Sequence, residues 1–162
     1  MVELVIVQEA HKLAMQRGLG ELRASLGVSI PAGWPQFLEA FVPSAGETSG
    51  NNQWPSYFFV CRTENYLVGN GGFAGSPDLS GEVEIGYEIA PAFHNRGYAT
   101  AAVREMLKYA FSTEEIRGVL AHTLAEANAS NAVLKKAGFE FAGEVPDPES
   151  GTVWRWHIGR PE

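Results

Sequence analysis

A donor-rich segment, residues 94–100, connects a predicted strand to a predicted helix. It consists of His94, Asn95, Arg96, Gly97, Tyr98, Ala99 and Thr100. The first turn of a helix leaves backbone N–H groups without intrahelical partners, and the helix dipole is positive there. Gly97 lets an anion come close to the backbone, and Arg96 adds a mobile positive charge. The pattern therefore predicts a turn that binds a pyrophosphate group.

A row of glutamates alternates along the strand predicted at residues 82–90, with Glu82, Glu84 and Glu88 on one face. Carboxylates on a half-buried face need partners or access to water. We expect Glu84 to act as a general base for an ammonium substrate, directly or through water, and Glu88 is the second choice. Glu82 begins the strand and is expected to be solvated or paired with an arginine. A structural ion pair at Glu84 remains an open alternative.

Other residues with chemical potential have simpler interpretations. Residues 69–74 match the dinucleotide-binding pattern G-x-G-x-x-(G/A), but Gly75-Ser76-Pro77-Asp78 cannot open the helix that such a site requires. We therefore expect these glycines to permit a bulge or a close approach of strands. Cys61 is expected on an outer hairpin strand, where it is a poor nucleophile. His122 and His157 are expected to be core or edge residues.

Aromatic residues are the candidates for lining an acceptor cleft, although burial in the core is the more common role of such residues. They are Trp34, Phe37, Trp54, Trp154 and Trp156. The sequence shows no cluster of cysteine and histidine, so we expect no metal site.

Hydrophobic periodicity and turn residues divide the chain into strands and helices. We expect strands at residues 2–7, 57–62, 66–73, 82–90, 118–123, 139–145 and 152–158, and helices at 9–18, 21–26, 36–41, 98–111 and 128–137. Residues 43–55 are expected to form a loop, and 146–151 a connection between the last two strands. Strands that alternate with helices in the second half predict an α/β architecture with a mixed sheet.

The composition indicates one globular domain over residues 1–162, because 45% of the residues are hydrophobic and 19% are charged. The net charge of −7 argues against a nucleic-acid partner and suits a cationic one. No apolar run approaches the roughly 18 residues of a membrane span, and the acidic N-terminal segment does not resemble a secretory signal. A single cysteine fits a reducing compartment, so we expect a cytoplasmic protein.

Two of these segments carry a resemblance to a known family. Residues 94–99 are similar to the acyl-CoA signature of the GNAT superfamily of N-acyltransferases, (Gln/Arg)-x-x-Gly-x-(Gly/Ala), with His94 departing at the first position. Residues 128–139 resemble the second motif of the superfamily, a helix that ends in Gly-Phe. Together with residues 83–87, they resemble the Rim-type branch, whose known members acetylate protein N-termini. The resemblance covers residues 55–160 well and the first 50 loosely.

The resemblance implies a GNAT fold, with a mixed and mostly antiparallel central sheet flanked by helices on both faces. It also implies that acetyl-CoA is a co-substrate, that the backbone of the turn holds its pyrophosphate, and that Ile89 and Ala90 pair with its pantetheine arm. Neither role depends on particular side chains, so we expect His94 to be tolerated.

The second motif departs from the family pattern at two positions. Many relatives have asparagine at the position of Ala127 and a tyrosine general acid at that of Leu134. We expect Asn128 or Asn131 to replace the first contact by a small shift. Water or Ser130 is expected to protonate the leaving thiolate in place of the tyrosine.

These features together predict an acetyl-CoA-dependent N-acetyltransferase in which a primary amine attacks the thioester directly. The amine is a protein N-terminus or a small molecule, and the sequence does not distinguish them. A CoA-binding module without turnover is the alternative. The expected partners are acetyl-CoA and the amine acceptor, with a homodimer left open.

Overall fold

The computed structural model describes residues 2–35, 54–74, 77–124, 129–148 and 151–161. Within these ranges the strands are β1 (Glu3–Ile6), β2 (Ser56–Cys61), β3 (Tyr66–Phe73), β4 (Glu82–Ile89), β5 (Gly118–Leu124), β6 (Glu140–Asp147) and β7 (Gly151–Gly159). The α-helices are α1 (Glu9–Arg17), α2 (Leu19–Leu26), α3 (Tyr98–Phe111) and α4 (Ala129–Ala137). A short 3-10 turn, Pro91–Phe93, precedes α3.

Most of the predicted elements are confirmed, with ends that differ by at most two residues. The helix predicted at 36–41 and nearly all of the loop predicted at 43–55 lie outside the described residues. The connection predicted at 146–151 is shorter than expected, because β6 continues to Asp147 and β7 begins at Gly151. Pro146 is tolerated in β6 because that strand lies at the edge of the sheet, where an N–H group can be absent without loss of a ladder bond.

The strands form a seven-stranded mixed sheet in the order β1-β2-β3-β4-β5-β7-β6. The β4–β5 pair is parallel, whereas β1–β2, β2–β3, β5–β7 and β6–β7 are antiparallel. A parallel pair needs a crossover connection, which α3 provides between β4 and β5. The predicted α/β fold class with a mixed, mostly antiparallel sheet is confirmed.

The chain folds as two compact units. The first unit consists of Met1–Gly72 and Tyr87–Tyr98, and the second of Phe73–Gly86 and Ala99–Glu162. Strand β4 therefore contributes its last residues to the first unit and its first residues to the second.

The core of the first unit is built on β2 and β3, where apolar side chains are almost fully buried. They include Phe58, Phe59, Val60, Leu67 and Val68. Helix α2 adds Leu22 and ends at Gly27, whose left-handed φ of 74° suits a residue without a side chain. The end of β4 lies beside β3, because the Ala90 N–H donates to the Val68 carbonyl.

The core of the second unit is formed by one face of its sheet and by α3. The helix buries one stripe, Ala102, Val103, Met106 and Ala110. On the sheet, Val83 and Ile85 of β4 are buried, and so are Val119 and Ala121 of β5. Alternation along β4 consequently directs Glu82 and Glu84 to the opposite face.

The glycine-rich segment Gly69–Phe73 lies within β3, as expected for glycines that permit a bulge or a close approach of strands. A Cβ atom at Gly69 would overlap the carbonyl oxygen of Glu88, so β3 and the end of β4 approach too closely for a side chain there. The register with β2 also shifts between Phe59 and Val60, as in a bulge.

Candidate functional site

The predicted pyrophosphate-binding turn lies in the first unit and is open to solvent. Residues 94–97 are exposed, and the helical conformation begins at Tyr98. Asn95 and Gly97 have left-handed backbone conformations, with φ of 61° and 84°. Among the described residues, no backbone hydrogen bond uses the N–H groups of Asn95, Arg96 or Gly97. The turn therefore has the free donors that an anion requires.

Arg96 is held in place, in contrast to the mobile charge that we expected. Its guanidinium donates to Glu64 Oε1 at 2.7 Å. It also lies over two aromatic rings, 5.4 Å from the centroid of Phe93 and 5.6 Å from that of Tyr98. The hydrogen bond that Arg96 donates to Glu64 raises the pKa of Arg96 above its usual value, so this group stays cationic. The turn is consequently tied to the hairpin between β2 and β3.

Tyr98 directs its side chain inward, so only its backbone faces the turn. The ring is buried, and the hydroxyl contacts Cys61 Sγ at 3.6 Å and Glu64 Oε2 at 3.3 Å. The hydrogen bond with Cys61 raises the pKa of Tyr98 to about 12 and lowers the pKa of the Cys61 thiol. The expected outer position of Cys61 is wrong, since β2 has β1 on one side and β3 on the other.

His94 contacts the end of β4, which is its clearest structural role. Its Nε2 lies 2.7 Å from the carbonyl oxygen of Ile89. Ala90 has both backbone groups engaged, because its N–H donates to Val68 and its carbonyl accepts from the Phe93 N–H. Of the two residues expected to pair with pantetheine, Ala90 therefore has both backbone groups engaged, and Ile89 has its carbonyl oxygen in contact with His94.

The glutamate row of β4 is divided between the units. Glu88 lies in the first unit and is half-buried. Glu82 and Glu84 lie in the second unit, and each pairs with a histidine. Glu82 Oε2 is 2.6 Å from His157 Nε2, and Glu84 Oε2 is 3.1 Å from His122 Nδ1. The expected solvated or arginine-paired state of Glu82 is therefore wrong.

The histidine partners of Glu82 and Glu84 are contacts that sequence reasoning missed. In the strand register, Gly118 faces Glu82 and Leu120 faces Glu84 on β4, whereas Leu120 faces His157 on β7. Same-face positions on three strands thereby bring His122 and His157 to the carboxylates. Only the pairing register could have revealed this, because these strands are distant along the chain.

The second predicted motif contributes mainly to packing. Asn131 is buried, and its Oδ1 accepts from the Thr123 hydroxyl at 2.5 Å. That hydroxyl oxygen accepts in turn from Trp156 Nε1 at 3.0 Å. Leu134, at the usual tyrosine position, is fully buried. Asn131 is thus engaged inside the second unit, which leaves it a supporting role for α4.

The remaining predicted residues have diverse positions. Ser130 lies in the first turn of α4 and is half-buried, and Ala99 and Thr100 lie in the first turn of α3. Asn128 lies outside the described residues.

Two of the candidate aromatic residues belong to the core instead of a cleft. Trp34 is buried and donates to Asn70 Oδ1 at 2.7 Å, and Trp156 is buried and donates to the Thr123 hydroxyl. Trp54 and Trp154 are half-buried, whereas Phe37 lies outside the described residues.

The part of the chain that the structure describes contains neither a metal-binding cluster nor a membrane-spanning helix. No group of three or more histidine, cysteine, aspartate or glutamate side chains is arranged to hold a metal ion there. Within the same residues, no helix is long and apolar enough to cross a membrane.

Comparison with known proteins places this site in context. A family model described as an acetyltransferase (GNAT) domain matches residues 32–140. The uncharacterised N-acetyltransferase YjdG of Bacillus subtilis is 31% identical over 106 residues, which cover 65% of this chain and 60% of that relative. The chain thus spans less than two thirds of the length of this curated relative.

Two solved structures resemble nearly the whole chain. The RimL ribosomal L7/L12 α-N-protein acetyltransferase in complex with coenzyme A has a TM-score of 0.69 and 21% identity, covering 98% of this chain and 93% of its own. A chimera of spermidine N-acetyltransferase SpeG from Vibrio cholerae and hSSAT has a TM-score of 0.70 and 14% identity, covering 98% and 95%. At these identities the similarity shows a shared fold.

Proposed function

The chain belongs to the GNAT acetyltransferase family, and from that premise we propose that it transfers an acetyl group from acetyl-CoA to a primary amine. The observation that carries the proposal is the open turn at residues 94–97. Its free backbone donors precede a helix of 14 residues, as a pyrophosphate site requires. Acetyl-CoA supplies the thioester that is to be cleaved.

The residues of the turn fit the coenzyme. Backbone N–H groups from Asn95 to Tyr98 would hold the pyrophosphate, and Gly97 has no side chain to obstruct it. Arg96 adds positive potential while its guanidinium stays on Glu64. Ile89 would accept a hydrogen bond from the pantetheine arm, and His94 would then have to release the Ile89 carbonyl. Ala99, Thr100 and Asn128 remain predicted contacts.

We assign proton removal from the ammonium substrate to Glu84. Its side chain is 41% exposed, so the substrate can reach it. Oε2 of Glu84 contacts His122, and Oε1 takes no part in that contact. A carboxylate at such a position can accept the proton and leave the amine nucleophilic. Glu88 remains the second candidate. Ser130 or water would protonate the leaving thiolate, since Leu134 is buried and apolar.

The acceptor is proposed to be a cationic amine, in line with the net charge of −7. The Rim-type motif favours a protein N-terminus. A small polyamine is the second candidate, because the structural similarity to spermidine N-acetyltransferase is equally high. The single cysteine of the chain is buried and unpaired, which suits a reducing compartment such as the cytoplasm.

A CoA-binding module without turnover is the alternative that the buried Leu134 and the engaged Asn131 favour. Calorimetry with CoA and an assay of free CoA release over a panel of peptide N-termini, polyamines and aminoglycosides separate the two. Binding with amine-dependent release supports the enzyme. Binding without release from any amine supports the module, and absence of CoA binding contradicts both.

A further inference from the structure

A polar face of the second unit joins side chains from three neighbouring strands. It consists of Glu82, Glu84, His122, Arg155 and His157. His122 is its central residue, because both of its ring nitrogens have partners. Nδ1 lies 3.1 Å from Glu84 Oε2, and Nε2 lies 3.3 Å from Arg155 Nε.

The two contacts determine where the imidazole carries its proton. A guanidinium has only donors, so Arg155 must donate and His122 Nε2 must accept. A neutral imidazole that accepts at Nε2 carries its proton on Nδ1. That Nδ1–H then donates to Glu84 Oε2. His122 is thereby a directed donor toward the carboxylate, and its acceptor nitrogen is already occupied.

We propose that His122 is a positioning residue for Glu84, an inference that rests on the proposed acetyl transfer. The Nδ1–H group fixes Oε2 of Glu84 and leaves Oε1 to take the proton of the substrate ammonium. In that step one N–H bond of the ammonium breaks, its electron pair stays on the amine nitrogen, and an O–H bond forms on Glu84. His122 and Arg155 keep their protons. The exposed Glu84 afterwards releases its proton to water.

The neighbouring pair on the same face offers a matched control. Glu82 and His157 also form a carboxylate–imidazole contact, at 2.6 Å, with Gly118 packed closely against both. Among the described residues, no arginine contacts His157 through a hydrogen bond. Both pairs join a carboxylate to an imidazole on the same face of the sheet, but only the Glu84–His122 pair includes the proposed base.

The first experiment reads the proton position without any need for turnover. Long-range ¹H–¹⁵N spectra of the wild-type protein at neutral pH should show His122 as the Nδ1–H tautomer. Arg155→Met should shift the population toward the Nε2–H form, since nothing then occupies Nε2. An Nε2–H tautomer in the wild type, or an unchanged spectrum in Arg155→Met, overturns the inference.

The second experiment measures the catalytic consequence. His122→Leu should lower kcat about 10- to 100-fold, the range of one hydrogen bond to a charged group, with KM for acetyl-CoA within about twofold. His122→Asn places an amide donor near the former Nδ1 and should restore kcat to within about threefold of the wild type. His157→Leu should leave kcat unchanged. Thermal melts confirm that each variant is folded.

Three results count against the proposal: wild-type kcat in folded His122→Leu, failure of His122→Asn to restore it, or an equal loss in His157→Leu. If His122→Leu does not fold, Arg155→Met takes its place, with an expected loss of about threefold or more. If the wild type transfers no acetyl group to any amine, the proposed function fails. The tautomer spectra then still decide whether His122 orients Glu84.

Discussion

Gly97 meets two requirements of the turn. Its backbone is left-handed, and the missing side chain leaves room for an anion. We predict that Gly97→Glu abolishes CoA binding, because the new carboxylate occupies the pyrophosphate-binding site and repels the phosphate groups. A side chain at φ of 84° costs about 1–2 kcal/mol of stability by itself. Calorimetry on the folded variant measures the CoA affinity.

Gly151 provides the control for this variant, because its φ of 82° is nearly the same and open space surrounds it. Gly151→Glu should lose similar stability and keep wild-type CoA affinity. Unchanged affinity in a folded Gly97→Glu protein would remove the assignment of the turn.

Substitution of Glu84 tests whether this residue is the general base. Glu84→Gln keeps the shape and an acceptor for His122 but cannot take up the ammonium proton. Turnover should fall roughly 10²–10⁴-fold, with the acetyl-CoA affinity nearly unchanged. Higher pH should recover much of the loss, because the free amine then becomes abundant without the enzyme.

The pH–rate profile and two further variants test this assignment. Glu82→Gln changes the neighbouring pair on the same face and should retain most activity. If Glu84→Gln only lowers the melting temperature and leaves the pH–rate profile unchanged, the carboxylate is structural. If Glu88→Gln shows the catalytic loss instead, the base is Glu88.

At the scale of elements, the close approach of β3 to the end of β4 depends on the absence of a side chain at Gly69. We predict that Gly69→Ala costs about 2–3 kcal/mol, because the new methyl group overlaps backbone atoms of Glu88 and Ile89 that cannot move independently. Gly86→Ala is the matched control, since that strand position is open. It should change the free energy of unfolding by less than about 0.5 kcal/mol. Urea unfolding measures both, and equal stability of the two variants contradicts the prediction.

Helix α1 begins with a histidine contact whose contribution to stability we expect to depend on pH. The ring of His11 packs against Phe58, and its Nδ1 accepts from the Gln8 N–H at 3.0 Å. Burial lowers the pKa of His11 below its usual value of about 6.5. The unfolded chain therefore binds this proton more readily, so the contribution to stability is present above pH 6.5 and is lost as the pH falls through the lowered value.

His11→Asn keeps an acceptor in this place without a titrating ring. The melting temperature of the wild type relative to this variant should be constant above pH 7 and should decline between pH 6.5 and 5. A difference that does not vary with pH would show that His11 does not titrate in this way.

The elements were largely predictable because their signals are local. Pro91 and Gly97 delimit the connection between β4 and α3, and the apolar stripe of α3 follows from periodicity alone. The extension of β6 through Pro146 was not predictable, because tolerance for proline depends on which strand lies at the edge of the sheet.

At the scale of the whole molecule, the part of the candidate site that the sequence predicts is the part formed by backbone groups. The turn at 94–97 combines glycine, asparagine and a helix start within a few residues. The contacts of its side chains were not predictable, since Glu64 reaches Arg96 and Cys61 reaches Tyr98 only through tertiary packing. The same holds for His122 and Glu84, which meet through the register of separate strands.

Cys61 is buried and contacts Tyr98, so the rate at which its thiol becomes accessible reports local opening next to the turn. A thiol reagent can react with this single cysteine only when the structure that buries its thiol, including the contact with the Tyr98 hydroxyl, opens. The rate of an exposed thiol divided by the labelling rate is therefore a protection factor for that opening. We predict slow labelling of the free protein and slower labelling with saturating CoA, because a ligand held by the closed turn lowers the open population. Labelling as fast as that of an unstructured cysteine peptide, or insensitive to CoA, would show that opening of the turn and coenzyme binding are independent.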